Sequence, residues 1–290
     1  MHLALTVEQV ELQAELRAYF ASLVDEIERD DGTESPYTRF IRRMGHDGWL
    51  GLGWPPEYGG QGRDAIDQMI FVEESHWAGV PIPLLTLNSV GPTLMALGTE
   101  EQKRTLLPKI LRGELHFAIG YTEPSAGTDL ASLQTKAVRD GDEYVINGQK
   151  LFTSAIEHAD YVWLAVRTDP DVPKHKGLSV IIVPTDAPGF HYVPLRTMAG
   201  EFTSATFYED LRVPAENLVG AENQGWKLIT NQLNHERVAI CPASGLLRNI
   251  ADVRRWACET RLADGRRVID QEWVATALAR VHARAELLKL

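Results

Sequence analysis

Nine residues near the middle of the sequence combine groups that could bind a polar cofactor. Residues 121–129 read Tyr-Thr-Glu-Pro-Ser-Ala-Gly-Thr-Asp, so hydroxyls, carboxylates and a flexible glycine follow one another between two strand-like segments. Backbone amides and hydroxyls displayed on such a loop suit a polar, planar or phosphorylated ligand. The same composition is also typical of an ordinary turn, and these nine residues alone leave both interpretations open.

The composition is that of an acidic globular chain, and it argues against several functional classes. The formal net charge is −11 over 290 residues, and no run rich in Lys and Arg occurs. Nucleic-acid binding needs a basic surface, so we do not expect it. The first residues lack the regions of a signal peptide, and no stretch approaches the roughly 20 apolar residues of a membrane span. We therefore expect a cytoplasmic protein.

The histidines and cysteines give no indication of a metal site. The sequence has nine His and two Cys, and they do not cluster at ligand spacing with each other or with paired carboxylates. We therefore predict no metal centre.

The first third of the chain has the periodicity of helices that could carry such a loop. Residues 6–9 have the form of a capping box, and an apolar stripe is predicted to begin at Val7 and Val10 and to continue to Ile27. A second capping box begins at Thr99 and predicts a helix that runs to Gly113. The glycine-rich residues 45–62 do not fit a nucleotide-binding pattern and predict a rigid loop between helices.

From residue 116 the pattern changes to short strands. The dipeptides Asp140-Gly141 and Asn147-Gly148 tolerate the positive φ angles of tight turns, so each predicts a hairpin. Further strand-like runs occupy residues 161–167, 178–183 and 205–208. The short connections predict antiparallel pairing in a small sandwich or barrel.

The whole pattern predicts an α+β protein with three parts. These are an N-terminal helical domain at residues 1–114, a central antiparallel β-domain at 115–222 and a C-terminal helical bundle at 223–290. The bundle is expected to be incomplete, because a helical apolar stripe continues to the final residue and would leave a core open.

Four motifs in this order resemble the acyl-CoA dehydrogenase family. They are the Thr-Glu-x-x-x-Gly-Thr-Asp run from Thr122, Asn147-Gly148-Gln149-Lys150, Arg212-Val213-Pro214 followed by Asn217-Leu218-Val219-Gly220, and Glu236-Arg237. The resemblance covers essentially the whole chain. The sequence also resembles bacterial members of the heteromeric group that acts on steroid or branched acyl-CoA esters.

The resemblance implies an FAD-dependent enzyme that desaturates an acyl-CoA thioester to a trans-2-enoyl-CoA. In such enzymes a carboxylate removes the α-proton while hydride leaves the β-carbon for the flavin, and water must be kept out. Electrons then pass to an electron-transfer flavoprotein. A homo- or heterotetramer is the assembly that the resemblance implies.

The resemblance also assigns roles to individual residues. Glu236 matches the position of the catalytic base in a minority of the family. Phe152 and Ser154 stand where relatives have a Trp and a Thr that contact the flavin ring. The positions implied for FAD binding are Tyr121, Thr122, Gly127, Thr128, Phe152, Ser154 and Arg261. The positions implied for acyl-CoA binding are Thr128, Leu233, Asn234 and Arg237.

Departures from the family pattern keep other functions open. Asp264 stands where relatives have an aromatic residue near the Arg that reaches the partner subunit's FAD, and its charge would repel a pyrophosphate. The sequence has no counterpart of the last bundle helices. It therefore fits part of a longer polypeptide, or a non-catalytic or half-site subunit of a heteromeric dehydrogenase. A flavin monooxygenase or nitroalkane-type oxidase would share the fold, but Glu236 argues against both.

Overall fold

In the computed structural model, which describes residues 4–29, 34–200, 202–236 and 242–288, five α-helices precede a seven-stranded sheet and three follow it. For residues 235 and 236 the description is limited to the helix backbone. The predicted α+β class is confirmed.

The helices are α1 (Val7–Arg29), α2 (Pro36–His46), α3 (Ala65–Ala78), α4 (Gly91–Leu97), α5 (Glu100–Leu111), α6 (Gly225–Glu236), α7 (Ala243–Glu259) and α8 (Glu272–Leu287). The strands are β1 (Phe117–Gly120), β2 (Lys136–Asp140), β3 (Glu143–Lys150), β4 (Tyr161–Arg167), β5 (Leu178–Pro184), β6 (Phe190–Arg196) and β7 (Phe202–Pro214).

Both predicted capping boxes are present. The Gln9 amide donates to Thr6 Oγ1 at 3.3 Å, and the Thr6 amide donates to Gln9 Oε1 at 3.1 Å. Thr99 and Gln102 exchange the same pair of hydrogen bonds at the start of α5. Each box satisfies amides that the first turn of a helix leaves without partners, which explains why α1 and α5 begin there.

The apolar stripe predicted for α1 is wrong in its first turn. Val7 and Val10 are 71% and 52% exposed, whereas the buried line of the helix starts at Gln9 and includes Leu12. The buried residues recur every three or four positions, and Val7 and Val10 lie off that line. The later part of the stripe, through Ile27, packs into the core as predicted.

The loop between α2 and α3 is the predicted inter-helix connection. Buried Trp54 donates its indole N–H to the carbonyl of Leu87 at 3.0 Å. Leu87 belongs to a five-residue π-helical segment, Thr86–Val90. Thr86 Oγ1 in turn accepts from the amide of Phe117 at 3.0 Å, so the loop, the π-helical segment and the start of β1 are held together.

The sheet has the strand order β1-β4-β2-β3-β7-β6, with β5 on the other edge of β4. The pairs β2–β3, β3–β7, β6–β7 and β4–β5 are antiparallel, as predicted. Strand β1 pairs with β4 in parallel, and β2 pairs with β4 in parallel through one pair of residues. For these two contacts the antiparallel prediction is wrong. The reason is that the β2–β3 hairpin lies between β1 and β4 in the chain, so no short turn joins them.

The two predicted hairpin turns have different outcomes. Asp140-Gly141 does join β2 to β3, and Gly141 has a φ of 64°. Asn147-Gly148 is not a turn, because β3 continues through it with a shift of register against β7. Gly148 has a φ of 153°, and the Asn147 side chain bonds the backbone and carboxylate of Asp210 at 3.0 Å each. The dipeptide therefore forms a β-bulge, which exploits the same backbone freedom as a turn.

The sheet separates two apolar cores. On β4, Trp163 and Ala165 pack with the N-terminal helices and α6, whereas Val162 and Leu164 pack into a second core on the opposite face. Alternate residues of a strand point to opposite faces, so β4 is buried on both. Within the described ranges, no helix combines the length and apolarity that crossing a membrane requires.

Candidate functional site

The run at residues 121–129, called the signature loop below, begins with a tight turn. Glu123 and Ala126 exchange backbone hydrogen bonds of 3.0 and 3.1 Å, which puts Pro124 and Ser125 at the exposed tip. Gly127 and Thr128 follow on the surface. A Cβ atom added at Gly127 would have nothing within 4 Å, so the backbone here is open to a ligand.

A buried ion pair holds the signature loop against β3. Lys150 Nζ lies 2.8 Å from Glu123 Oε1, and the two side chains are 0% and 4% exposed. Lys150 also donates to the carbonyl of Tyr121 at 3.1 Å. The Glu123 carboxylate accepts two further bonds, from the amides of Gln134 at 2.6 Å and Thr135 at 2.8 Å. Within their motifs, Glu123 and Lys150 therefore have a structural role, which is to hold the signature loop on β3. The sequence analysis did not assign this role.

The surroundings shift the pKa values of both members of this pair downward. Burial acts to raise the pKa of Glu123, but the charge and hydrogen bond of Lys150 and the two amides outweigh it and hold that pKa below its usual value. Burial lowers the pKa of Lys150 to about 8, against the opposing effect of Glu123. Both groups are therefore charged at neutral pH.

The lowered pKa of Glu123 predicts a loss of stability in acid. A carboxyl whose pKa is lower in the folded chain stabilises the fold above its unfolded pKa, and this contribution disappears as the pH falls through the folded value. We expect the free energy of unfolding to decline as the pH falls below the ordinary range of a glutamate pKa, as denaturant titration would measure. Glu123→Gln should lose this part of the slope; an unchanged slope in the variant would contradict the assignment.

Phe152 presents an aromatic ring beside the signature loop in an unusual backbone conformation. Its φ is 59°, and its side chain is 62% exposed. The amide of the preceding Leu151 donates to the carbonyl of Thr122 at 2.8 Å, which places Phe152 next to the loop. The exposed Ser154 hydroxyl lies 3.2 Å from Thr203 Oγ1. A strained, exposed aromatic residue of this kind is typical of a binding site.

Helix α6 contacts the signature loop through Gln232, which the sequence analysis missed. The Tyr121 hydroxyl donates to Gln232 Oε1, and the side chain of Gln232 is fully buried. Glu236, the last residue of α6, lies one turn after Gln232 on the same face of the helix. Arg237 lies outside the described residues.

The two other α6 residues implied for acyl-CoA binding, Leu233 and Asn234, have different surroundings. Leu233 is half-buried and packs against the larger core. Asn234 is exposed and lines a depression of about 400 Å³ between α6 and the end of α4, together with Leu97 and Lys227. No residue of the signature loop lines that depression.

Arg261 and Asp264 lie in the loop between α7 and α8. The Arg261 guanidinium donates to the carbonyl of Gly265 at 2.8 Å. Arg266 binds the Asp264 carboxylate through Nε at 2.8 Å and Nη2 at 2.6 Å, and holds the pKa of Asp264 below its usual value. Arg266 therefore balances the charge of Asp264 within the loop. The predicted repulsion between Asp264 and a pyrophosphate stays a prediction.

Glu73 on α3 provides a cap for α7. Its carboxylate accepts from the amides of Ala243 at 2.9 Å and Ser244 at 2.8 Å, and from the Ser244 hydroxyl. The residue before the helix, Pro242, offers no side-chain bond. A carboxylate stabilises the amides and the positive end of a helix dipole there. The adjacent Glu74 binds Arg17 of α1, so α3 connects α1 and α7.

Metal binding has no support in the described residues. Among them, no group of three His, Cys, Asp or Glu side chains is arranged to hold an ion.

The fold and the motifs together define a family. Three family models, for the N-terminal, middle and C-terminal domains of acyl-CoA dehydrogenases, match residues 6–114, 118–210 and 223–290. The chain therefore belongs to the acyl-CoA dehydrogenase family, whose members are flavoproteins, and it is an oxidoreductase that acts on acyl-CoA.

Individual relatives are highly similar over the whole chain. Acyl-CoA dehydrogenase FadE26 of Mycobacterium tuberculosis is 57% identical, over 100% of this chain and 75% of the relative. The crystal structure of the ChsE4-ChsE5 complex from Mycobacterium tuberculosis gives a TM-score of 0.90 at 59% identity, over 100% of this chain and 76% of that one. The structure described as the Tcur3481-Tcur3483 steroid ACAD gives 0.90 at 51% identity, over 100% and 75%. This chain thus spans about three quarters of each relative.

Proposed function

We propose that this chain is an FAD-dependent acyl-CoA dehydrogenase that converts an acyl-CoA thioester into the trans-2-enoyl-CoA. One observation carries the proposal: the signature loop is held by the buried Glu123–Lys150 pair directly beside the exposed ring of Phe152. The arrangement offers backbone amides, hydroxyls and a flat apolar surface at one place. Because the chain belongs to a flavoprotein family, we propose FAD as the cofactor that binds at this place.

The residues present fit FAD. The exposed ring of Phe152 suits a flat ring system, and the nearby Ser154 hydroxyl can form a hydrogen bond. The open backbone at Gly127 and the Thr128 hydroxyl suit phosphate oxygens. When bound, FAD accepts the hydride. We assign FAD binding to the set named from the sequence: Tyr121, Thr122, Gly127, Thr128, Phe152, Ser154 and Arg261.

We assign the proton abstraction to Glu236. Support comes from the helix that carries it, because the turn before Glu236 is bonded to the signature loop through Gln232 and Tyr121. A carboxylate at this position takes the α-proton of the thioester as general base. Thr128, Leu233, Asn234 and Arg237 are assigned to the acyl-CoA channel, and the exposure of Asn234 suits a polar part of the ligand.

The exposed ring of Phe152 predicts a loss of flavin affinity when it is removed. Phe152→Gly should bind FAD about 2- to 10-fold more weakly, because an aromatic contact is worth about 0.5–1.5 kcal/mol. The same variant should not destabilise the apoprotein, since glycine adopts a φ of 59° without strain. Fluorescence titration of FAD checks the affinity, with Phe152→Tyr, which keeps the ring, as the matched control. Equal affinity of the two variants for FAD would show that the Phe152 ring does not contact the flavin.

The relatives also support an assembly with unlike subunits. Two of them are described as complexes of two differently named chains, ChsE4-ChsE5 and Tcur3481-Tcur3483, the second a steroid ACAD. We therefore propose a tetramer, homomeric or heteromeric, a bulky acyl group of the steroid type, and electron transfer to an electron-transfer flavoprotein. A half-site role for this chain is the second candidate. The proposed location is the cytoplasm.

The visible spectrum of the purified full-length protein tests the proposal. Under anaerobic conditions we expect a flavin band that bleaches on addition of one class in a panel of acyl-CoA esters. A colourless protein that becomes yellow and active only after co-expression with a sister chain, with less than one flavin per chain, would support the half-site role. A protein that is colourless in both preparations would contradict both functions.

A further inference from the structure

The hydrogen bond between Tyr121 and Gln232 joins the two elements that have to be aligned for the proposed reaction. Tyr121 belongs to the signature loop, where the flavin contacts are proposed, and is 7% exposed. Gln232 belongs to α6, one turn before the proposed base Glu236 and on the same face. The two residues are 111 positions apart in the sequence.

The Tyr121 end of this bond is fixed in place. The carbonyl of Tyr121 accepts from Lys150 Nζ at 3.1 Å, and the same ammonium is paired with Glu123. Lys150 lies on β3, so the backbone at Tyr121 is tied to the centre of the sheet. The hydrogen bond from the Tyr121 hydroxyl to Gln232 therefore fixes the position of α6 relative to the sheet.

The buried position of Gln232 is unfavourable for a polar side chain. Its neighbours Leu228, Ile229 and Leu233 pack into an apolar core, and Gln232 is itself fully buried. Its Nε2 has no hydrogen-bond partner among the described residues, so half of the amide is buried without compensation. If the amide were turned around, its carbonyl would be the uncompensated half, and the cost would remain. A Met or Leu side chain would fill the same space without this cost, which indicates that Gln232 serves alignment rather than stability.

We infer that Gln232 is a positioning residue: its bond to Tyr121 sets the register of α6, and so of Glu236, against the loop that holds the flavin. The inference rests on the proposed function. A directional hydrogen bond defines the position of a helix more narrowly than apolar packing does. Small errors of alignment between reacting groups lower a rate strongly without lowering the affinity for the substrate.

The double variant Tyr121→Phe/Gln232→Met tests this inference, because it removes both polar groups and keeps the volumes. We expect the unfolding midpoint to be unchanged or higher. In the single variant Gln232→Met, which leaves Tyr121 and its proposed FAD contact in place, bound FAD per chain should stay within about twofold of wild type. The Kd of a non-reactive acyl-CoA analogue, followed by its perturbation of the flavin spectrum, should also stay within about twofold. The rate of flavin reduction at saturating substrate should fall about 10- to 100-fold. Gln232→Met alone should give a similar rate, so the two changes should not be additive.

The control is Tyr144→Phe, which removes the hydroxyl of another buried tyrosine, one that packs in the second core and bonds the exposed Glu222 at 3.0 Å. It should leave the reduction rate unchanged. A wild-type rate in the double variant would overturn the inference while leaving the proposed function intact. A loss of FAD or of analogue affinity in Gln232→Met alone would overturn it in favour of direct contact between Gln232 and the ligand. Failure of the proposed function would appear separately, as absence of reduction in the wild-type protein.

Discussion

Glu236→Gln is expected to keep the cofactor and the acyl-CoA ligand bound while the rate of flavin reduction falls about 10³-fold or more. The substitution preserves the size of the side chain and removes its capacity to accept a proton. Because the α-proton must leave with the hydride, no other step can compensate for a missing base. Anaerobic stopped-flow mixing with the best substrate measures the rate, and titration with a non-reactive analogue measures the binding.

Glu259→Gln is the matched control for this prediction. Glu259 is also the last residue of a helix, α7, and it is exposed. The control should have the wild-type rate. If Glu236→Gln also retained a rate near that of wild type, the catalytic base would have to be assigned to another residue.

Lys150→Met is expected to destabilise the fold by about 3–5 kcal/mol. The substitution leaves the Glu123 carboxylate buried with two backbone amides and no countercharge. Removing one member of a buried ion pair is costly because the remaining charge stays desolvated. Denaturant titration measures the loss in the free energy of unfolding.

Lys174→Met provides the comparison, because Lys174 pairs with Asp129 at 2.7 Å while both side chains are about half exposed. Solvent screens such a pair, so its loss should cost less than about 1 kcal/mol. The double variant Lys150→Met/Glu123→Leu should recover part of the stability lost in Lys150→Met. Equal costs for Lys150→Met and Lys174→Met would show that the buried pair has no special role.

Local signals in the sequence predicted much of the fold. The capping boxes at Thr6 and Thr99 and the Asp140-Gly141 turn depend on neighbouring residues, and each was confirmed. Strand β6 was missed because most of its residues are exposed and it is defined by its pairing with β7. The division into domains at residues 114 and 222 stays a prediction.

The candidate site was predictable as a motif but not as a set of contacts. The order of motifs identified the family, and with it the signature loop. The roles of Lys150 and Gln232 depend on partners 27 and 111 residues away, and no periodicity or turn signal encodes such distances. The pairing of Asp264 with the guanidinium of Arg266, two residues later, was likewise not predicted.

The Glu73 cap of α7 has a consequence for how the chain is made. Glu73 leaves the ribosome 170 residues before Ala243, so its carboxylate is already in place on α3 when the first turn of α7 emerges. A contact of such long sequence separation is slow to form from a fully unfolded chain, but on the ribosome the earlier domain can act as a template. A circular permutant that begins with residues 242–288 would have to form α7 before its cap exists. During synthesis its α7 should therefore become stable later than in the natural order, only after Glu73 has emerged.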